Sequence, residues 1–253
     1  MVALLKERLA AGPVNGVFVL TNAPASVEIL GYAGFDYVVI DTEHGANDIA
    51  VVEHMVRAAE IGGLASLVRV TANDPKMILR ALDVGATGIL VPQVNSAAEA
   101  VQAVRAAKYG PQGERGLAGI VRAARYGFEP VKKYIAEAND RTLVVVQIED
   151  IKAIDNLDEI VAVDGIDGLL IGPADLSQSM GLTGQFENPT FVRVVHDAIA
   201  RVVRAGKYAG IFCFNAEQAK YWRSQGARLL VIATDTMLFA QAARNLAREV
   251  KEN

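Results

Sequence analysis

The sequence predicts a (β/α)8 TIM barrel with parallel strands, formed as one domain over residues 1–253. Three observations support this fold class. Eight short runs of aliphatic and β-branched residues recur along the chain, segments of helical period lie between them, and no GxGxxG fingerprint follows the first run. Strands that are apolar on both faces and joined by helices pair in parallel, and eight such units in about 250 residues fit a closed barrel better than an open sheet.

The strands are predicted first because their runs are short and bounded by turn residues. In chain order they are GVFVL (16–20), DYVVID (36–41), ASLVRV (65–70), TGILVPQ (87–93), LVVVQIE (143–149), DGLLIG (167–172), YAGIFCF (208–214) and RLLVIAT (228–234).

The helical segments follow the strands and show a period near 3.6. They include residues 49–61, 75–84, 97–107, 191–205 and 216–224, and helix-start residues precede several of them, namely Asn47-Asp48, Asn73-Asp74-Pro75, Ser96 and Asn215. MVALLKERLAAG at the start and DTMLFAQAARNLAREV near the end are amphipathic helices as well. The longest interruption, residues 109–130, is rich in Gly and Arg and is interpreted as an active-site loop or an oligomer contact.

Composition excludes several classes of function. The net charge is −4 and no Lys/Arg-rich block is present, which argues against a nucleic-acid partner. The one cysteine, Cys213, excludes an internal disulfide framework and indicates a reduced, cytoplasmic setting. No apolar run is long enough to span a membrane, so we expect a soluble protein.

Polar side chains cluster where the predicted strands end. Catalytic groups of this fold come from the carboxyl ends of the strands, which meet at one mouth. His, Arg, Gln, Glu and Asp on five consecutive strand ends therefore favour an active site over ordinary loop solvation. These residues are Asp41 at the end of the second strand with Glu43 and His44 after it, Arg69 on the third, Gln93 at the end of the fourth, Gln147 and Glu149 on the fifth, and Asp175 after the Gly172-Pro173-Ala174 turn at the end of the sixth.

The residue types indicate metal-assisted chemistry on a 2-oxo acid. Glu149 and Asp175 supply two carboxylates on adjacent strand ends, which is the usual protein share of a Mg²⁺ or Mn²⁺ site, with Co²⁺ as a further candidate. Backbone N–H groups around Gly172, Ala174 and Asp175 suit a substrate carboxylate. The Arg69 guanidinium is predicted to neutralise the negative charge that develops on the enolate oxygen.

His44 is the predicted base. A histidine needs a partner that sets its tautomer, and Asp41, Glu43 and Asp83 are all candidates that sequence spacing does not separate. A Schiff-base mechanism is disfavoured because the lysines fall on predicted helices and loops, with Lys152 the nearest to a strand end. Cys213 lies inside an apolar strand and is interpreted as an inert core thiol.

Several motifs resemble one known family. IDTEHGANDI, VRVTANDPKMILRALDVGATGILVPQVNSAAEA, KYGPQGERG, VQIED and VDGIDGLLIGPADLSQSMG are similar to segments of the metal-dependent class II pyruvate aldolases of the HpcH/HpaI family. The resemblance runs from about Gly16 to Ala243, nearly the whole chain. It implies a lyase that cleaves or forms 4-hydroxy-2-oxo acids from an aldehyde and the metal-bound enolate of pyruvate or hydroxypyruvate. It also implies a homohexamer, a trimer of dimers, in which C-terminal helices are exchanged between protomers.

The resemblance assigns roles to individual residues. It implies His44 as the base, Asp83 as the carboxylate that raises its basicity and Arg69 as the enolate stabiliser. Glu149 and Asp175 correspond to the metal ligands. The substrate contacts that it implies, together with the turn predicted above, are Gln147, Gly172, Pro173, Ala174 and Asp175.

Two segments depart from the family prototype. They are residues 116–130 and GIFCFN (210–215), and we expect both to border the aldehyde end of the pocket, where Arg122, Arg125, Phe212 or Phe214 would set the acceptor preference. Two alternatives to the pyruvate aldolase stay open. One is a related barrel lyase acting on a sugar acid of the 2-dehydro-3-deoxyglucarate type or on an acyl thioester, and the other is a binding module for 2-oxo acids.

Overall fold

Eight parallel strands close into one barrel in the order β1 to β8, as the sequence predicts. The structure is a computed structural model and describes residues 5–251, so residues 1–4 of the predicted N-terminal helix lie outside the described part. The strands are β1 (Val14–Val19), β2 (Tyr37–Asp41), β3 (Ala65–Arg69), β4 (Gly88–Val91), β5 (Leu143–Ile148), β6 (Gly168–Ile171), β7 (Tyr208–Cys213) and β8 (Leu229–Thr234).

Helices surround the barrel between successive strands. They are α1 (Leu5–Ala11), α2 (Pro24–Tyr32), α3 (Ile49–Ile61), α4 (Pro75–Asp83), α5 (Ala97–Ala107), α6 (Val131–Arg141), α7 (Ile151–Asp155), α8 (Leu157–Val161), α9 (Pro173–Ser179), α10 (Pro189–Arg204), α11 (Ala216–Ser224) and α12 (Asp235–Lys251), with a 3-10 helix at Arg122–Gly127. Asp48, Asp74, Ser96 and Asn215 each accept a hydrogen bond from a first-turn N–H, which confirms the predicted helix starts.

Alternation along each strand divides the core into two layers. Val39, Leu67 and Val145 belong to the cluster inside the barrel, whereas their neighbours Val38 and Val68 belong to the larger cluster between the strands and the helices. Successive side chains of a strand point to opposite faces, so residues two positions beyond the inner layer point inward again. This alternation places the strand-end residues described below at the mouth. The buried Leu5 and Leu9 of α1 join the inner cluster and close the amino end of the barrel.

The barrel closes at a seam between β1 and β8. The register of this pair shifts between Gly16 and Phe18, and Ala233 has a φ of 60°. Asp235, the first residue of α12, restores hydrogen bonds at the mouth end of the seam. Its carboxylate accepts from the backbone N–H of Leu20 at 2.9 Å and of Thr21 at 3.2 Å, and also from the Thr21 hydroxyl.

Beyond Asp235, α12 leaves the barrel instead of covering it. Asp235 is the one buried residue among its 17, and Phe239, Leu246 and Val250 are largely exposed. A groove of about 280 Å³ remains open between α2 and α11, lined in part by Phe35, Ala219, Leu230 and Ile232. Within residues 5–251, no helix of the same chain therefore covers the face formed by β8 and β1.

Residues 109–130 lie away from the mouth. They follow α5, which returns the chain to the amino ends of the strands, and Arg122 donates to the Val84 carbonyl at 2.9 Å and pairs with Glu60. Within one chain Arg122 therefore does not border the aldehyde end of the pocket, contrary to the expectation from sequence. The exposed Leu117, Ile120 and Phe128 fit the alternative interpretation of this segment as an oligomer contact.

Candidate active site

Asp41 and Arg69 form a buried ion pair at the ends of β2 and β3. The two residues are paired in register, and each lies two positions beyond an inner-layer residue, Val39 or Leu67. Arg69 Nε donates to Asp41 Oδ1 at 2.9 Å and Nη2 donates to Oδ2 at 2.6 Å. This two-point contact fixes the plane of the guanidinium.

The loop after β2 adds Glu43 and His44. Glu43 Oε2 lies 3.1 Å from Arg69 Nη1, and burial raises the pKa of its carboxyl despite the opposing effect of Arg69. His44 is exposed, and its backbone N–H donates to Asp41 Oδ1 at 3.3 Å. The buried Asn47 donates to the Asp41 carbonyl at 2.9 Å and so fixes the turn. Asp41 is one of the three candidate partners of the His44 side chain. Its carboxylate instead accepts hydrogen bonds from Arg69 and from the backbone N–H groups of Glu43 and His44.

Glu149 lies on the opposite side of the mouth and is 5% exposed. The backbone N–H of Gln93 donates to its Oε1 at 2.8 Å, and Gln147 Nε2 donates to its Oε2. Gln93 adopts a φ of 55° to make this contact. Burial raises the pKa of Glu149 to about 7, and the charges of Asp175 and Glu43 add to that rise.

Gly172 allows the chain to pass close to Glu149. A Cβ at this position would lie 2.9 Å from both Gln147 Nε2 and Glu149 Oε2. No side chain fits there without moving these groups. The turn leads directly into α9, where Asp175 is an exposed residue of the first helical turn.

The donor set fits a divalent cation. Glu43, Glu149 and Asp175 approach closely enough for the charge of Asp175 to raise the pKa of both glutamates. Gln147 Oε1 is a buried acceptor atom without a hydrogen-bond donor, and Glu43 Oε2 has the ion pair with Arg69 but no hydrogen bond. A cation would reduce the repulsion among the three carboxylates and would give the Gln147 oxygen a partner. Within residues 5–251 no group of three or more His, Cys, Asp and Glu side chains has metal-site geometry.

The structure does not bring Asp83 to His44 within one chain. Asp83 is the last residue of α4, which carries the chain back to the amino ends of the strands. Its Oδ1 accepts from Arg115 Nη2 at 2.7 Å, and the Arg115 guanidinium lies over the Tyr109 ring. His44 follows the carboxyl end of β2 and therefore lies at the opposite end of the barrel from Asp83.

The side of the mouth formed by β7 and β1 is apolar. Phe18 lies beneath the Arg69 guanidinium, with 4.6 Å between Cζ and the ring centroid. The ring centroids of Phe212 and Phe18 are 5.9 Å apart, and those of Phe214 and Phe212 are 5.1 Å apart. Phe212 and Phe214 therefore lie on the same side of the mouth as Phe18, and their place at the aldehyde end of the pocket stays a prediction.

Comparison with known proteins assigns the chain to a family. The family model described as HpcH/HpaI aldolase/citrate lyase matches residues 15–242. The chain belongs to the HpcH/HpaI family. A 4-hydroxy-2-oxo-heptane-1,7-dioate aldolase of Klebsiella pneumoniae is 41% identical over 98% of this chain and 94% of its own length. A hydroxypyruvate/pyruvate aldolase of Deinococcus radiodurans is 39% identical over 98% of this chain and 89% of its own length.

A solved structure of the HpcH/HpaI family agrees with the barrel. A family protein from Burkholderia cenocepacia J2315 superposes with a TM-score of 0.92 at 34% identity, over 98% of both chains. The chain is accordingly a carbon–carbon lyase of the aldolase type. No helix among the described residues is long and apolar enough to cross a membrane.

Two contributions to this HpcH/HpaI site were not predicted from the sequence. Gln93 acts through its backbone, and a main-chain donor leaves no signal in residue type. The role of Asp41 as the anchor of Arg69 was detectable, since both residues end adjacent strands with the same inward direction. Other predictions hold: Cys213 is buried with its thiol pKa raised by burial to about 12, and Lys152 is exposed on α7.

Proposed function

We propose that the chain is a divalent-metal-dependent aldolase that cleaves and forms 4-hydroxy-2-oxo acids, with pyruvate or hydroxypyruvate as the 2-oxo acid product. The observation that carries this proposal is the convergence of Glu43, Glu149 and Asp175 beside the anchored Arg69 at one mouth. The names of two relatives, a 4-hydroxy-2-oxo-heptane-1,7-dioate aldolase and a hydroxypyruvate/pyruvate aldolase, support the same substrate class.

Glu149 and Asp175 are the residues that would hold the cation, Mg²⁺ or Mn²⁺. When bound, such a cation polarises the keto group of a 2-oxo acid and stabilises negative charge on its oxygen. Gln147 donates to Glu149 and keeps that carboxylate in place. The N–H groups of Ala174 and Asp175, in the first turn of α9 beside Gly172 and Pro173, are suited to hold the substrate carboxylate.

Arg69 is proposed to donate to the oxygen on which charge develops. Asp41 occupies Nε and Nη2 and Glu43 faces Nη1, so the guanidinium is held before substrate arrives. A donor that is already oriented loses little free energy to reorganisation during the reaction. His44, exposed at the same mouth, is proposed to take the proton from the 4-hydroxyl group during cleavage and to return it during condensation.

Asp83 is proposed to support His44 from a neighbouring subunit. Within one chain the two residues lie on opposite sides of the barrel, so only Asp83 of the partner subunit is available for this role. We propose a homohexamer, a trimer of dimers, in which α12 of one protomer covers the open β8–β1 groove of another. The exposed apolar residues of α12 and the apolar lining of that groove support the exchange.

Exchange of the methyl protons of pyruvate in D₂O, followed by NMR, tests the proposal because it needs no aldehyde. We expect exchange in the metal-loaded wild type and its loss after EDTA treatment. Arg69→Lys should be severely impaired in exchange, because an ammonium cannot reproduce the two-point contact with Asp41.

His44→Ala should lower aldol turnover by about 10²–10⁴-fold, the usual contribution of a general base. His54→Ala is the matched control, since His54 is an exposed histidine on α3, and we expect it to keep wild-type turnover. Wild-type turnover in His44→Ala, or full activity in EDTA, would contradict the proposed mechanism.

A further inference from the structure

We propose that Arg115 is a positioning residue for the aldol reaction: it orients Asp83, and through Asp83 it acts on His44 of the partner subunit. The inference rests on the proposed function, in which Asp83 supports His44 across a subunit contact. It gives a role to the motif KYGPQGERG (108–116), which the metal side of the site does not use.

Arg115 and Asp83 form an ion pair that opens to the surface on one side. Nη2 of Arg115 donates to Asp83 Oδ1 at 2.7 Å. The Arg115 side chain is 2% exposed, whereas that of Asp83 is 16% exposed. The guanidinium therefore lies behind the carboxylate, and the carboxylate is the part of the pair that a second chain can contact.

Two tyrosines hold the Arg115 guanidinium in place. Its Cζ lies 4.6 Å from the centroid of the Tyr109 ring, and the Tyr134 hydroxyl accepts from Nη2 at 3.5 Å. The two tyrosine hydroxyls are 3.0 Å apart and share a hydrogen bond, and both rings are buried. The direction of the guanidinium is thus set within one chain, before any subunit contact forms.

Fold stability does not explain this ion pair well. Two charges that leave water lose hydration, and their attraction often does no more than offset that loss. Nε of Arg115 is also buried without a hydrogen-bond acceptor, which adds a further cost. Orientation of the Asp83 carboxylate accounts for a cation held here better than a gain in stability does.

The turn after α5 fixes the point from which the Arg115 side chain begins. The N–H of Arg115 donates to the Lys108 carbonyl at 2.9 Å. A Cβ at Gly113 would lie 2.3 Å from the Lys108 carbonyl oxygen, so the turn needs glycine there. The buried Lys108 donates through Nζ to the carbonyls of Asn139 and Thr142, at 2.6 Å and 2.8 Å, and so ties the turn to the end of α6.

A second copy of this chain is the partner that the surroundings favour. Leu117, Ile120 and Phe128, in the segment that follows Arg115, are each more than half exposed, and apolar groups of this kind favour a protein contact. The exposed His44 ring makes no hydrogen bond within residues 5–251, so it is available to a carboxylate from another chain.

The proposed role is to keep a hydrogen-bond acceptor in a fixed direction. A carboxylate that accepts from one ring nitrogen of a histidine sets the tautomer and leaves the other nitrogen free to take a proton. Without Arg115 the Asp83 carboxylate keeps its charge but loses its fixed direction. The loss should therefore fall on the step that uses His44.

A double-mutant cycle tests this role with 4-hydroxy-2-oxobutanoate, the smallest 4-hydroxy-2-oxo acid, as the substrate for cleavage. Arg115→Gln should lower kcat by about 10–10²-fold, since a displacement of about 1 Å can cost 10²-fold. In the His44→Ala background the same change should alter the residual kcat by less than about twofold, because the step it supports is already lost. Equal factors in both backgrounds would identify Arg115 as a structural residue and overturn the inference.

The cycle has a matched control and a second variant. Arg105→Gln removes an exposed arginine that pairs with Glu114 in the same turn, and we expect it to keep wild-type turnover. If Arg115→Gln does not fold, Arg115→Lys takes its place in the cycle, because lysine keeps the charge without the planar fork. A wild type that does not cleave the substrate would count against the proposed aldolase function, whereas an active wild type with equal factors counts against the role of Arg115 alone.

Subunit mixing tests whether the effect crosses a contact. His44→Ala and Arg115→Gln chains are co-expressed in equal amounts, with a tag on one chain to isolate the hybrids. If the residues act across a contact, about a quarter of the sites in a random hybrid combine an intact His44 with an intact Arg115, and turnover should rise toward that fraction of the wild-type value. Hybrids that are no more active than the two separate variants would overturn the inference.

Discussion

Replacing Asp41 by asparagine should destabilise the fold through Arg69. Asp41 is fully buried, and its carboxylate accepts from two guanidinium nitrogens and from the backbone N–H groups of Glu43 and His44. Asp41→Asn keeps the shape but removes the charge and turns one acceptor into a donor that faces Arg69. Arg69 would then keep one anionic partner, Glu43.

Breaking a buried ion pair by removing one partner costs about 3–5 kcal/mol. Because Glu43 stays beside Arg69, we expect the lower end, about 3 kcal/mol. For a chain of this size 1 kcal/mol corresponds to about 2–4 °C in Tm, so Asp41→Asn should lower Tm by about 6–12 °C. Asp48→Asn is the matched control, since Asp48 is the exposed N-cap of α3 and asparagine caps a helix equally well.

Calorimetry of wild type, Asp41→Asn, Arg69→Gln and the double variant provides the assay. The double variant should lose less stability than the sum of the two single variants, because the second change no longer leaves an unpaired buried charge. Losses that add within about 0.5 kcal/mol would show that the two residues act independently and would refute the reasoning.

Three further predictions concern the cation, the turn after β6 and the assembly. The raised pKa of Glu149, about 7, means that a proton must leave before a cation binds, so affinity for Mn²⁺ should fall about tenfold from pH 8 to pH 6 in titration calorimetry. Gly172→Ala should weaken Mn²⁺ binding and leave the circular dichroism spectrum unchanged, because the added Cβ crowds Glu149. Phe239→Asp with Leu246→Asp should reduce the mass measured by light scattering, and a monomeric wild type at micromolar concentration would exclude the hexamer.

The strands could be predicted closely because burial on both faces leaves a continuous apolar run. The run predicted at 36–41 forms β2 (Tyr37–Asp41), and the run at 208–214 forms β7 (Tyr208–Cys213). Helix starts were equally accessible, since a side chain such as Ser96 signals its own hydrogen bond to a first-turn N–H.

The site could be predicted in part. The convergence of Arg69, Glu149 and Asp175 follows from the fold, because all the strands of the barrel deliver their carboxyl ends to one mouth. The place of Asp83 did not follow from its motif, because α4 carries it to the amino end and a role at His44 depends on a second chain. Residues 109–130 lack a clear period, and the contacts of Arg122 with Val84 and Glu60 are long-range features that local pattern does not reveal.

Asp235 gives the last helix a mechanical connection to the first loop. The same carboxylate that begins α12 holds Leu20 and Thr21, and both of these residues follow β1 at the mouth. If α12 is anchored on a neighbouring barrel, its position determines where the Asp235 carboxylate lies. Displacement of the helix would then move the loop that contains Leu20 and Thr21 before it disturbs the barrel core. Dissociation of subunits would then loosen the mouth of each barrel first, and activity would be lost at a lower denaturant concentration than secondary structure.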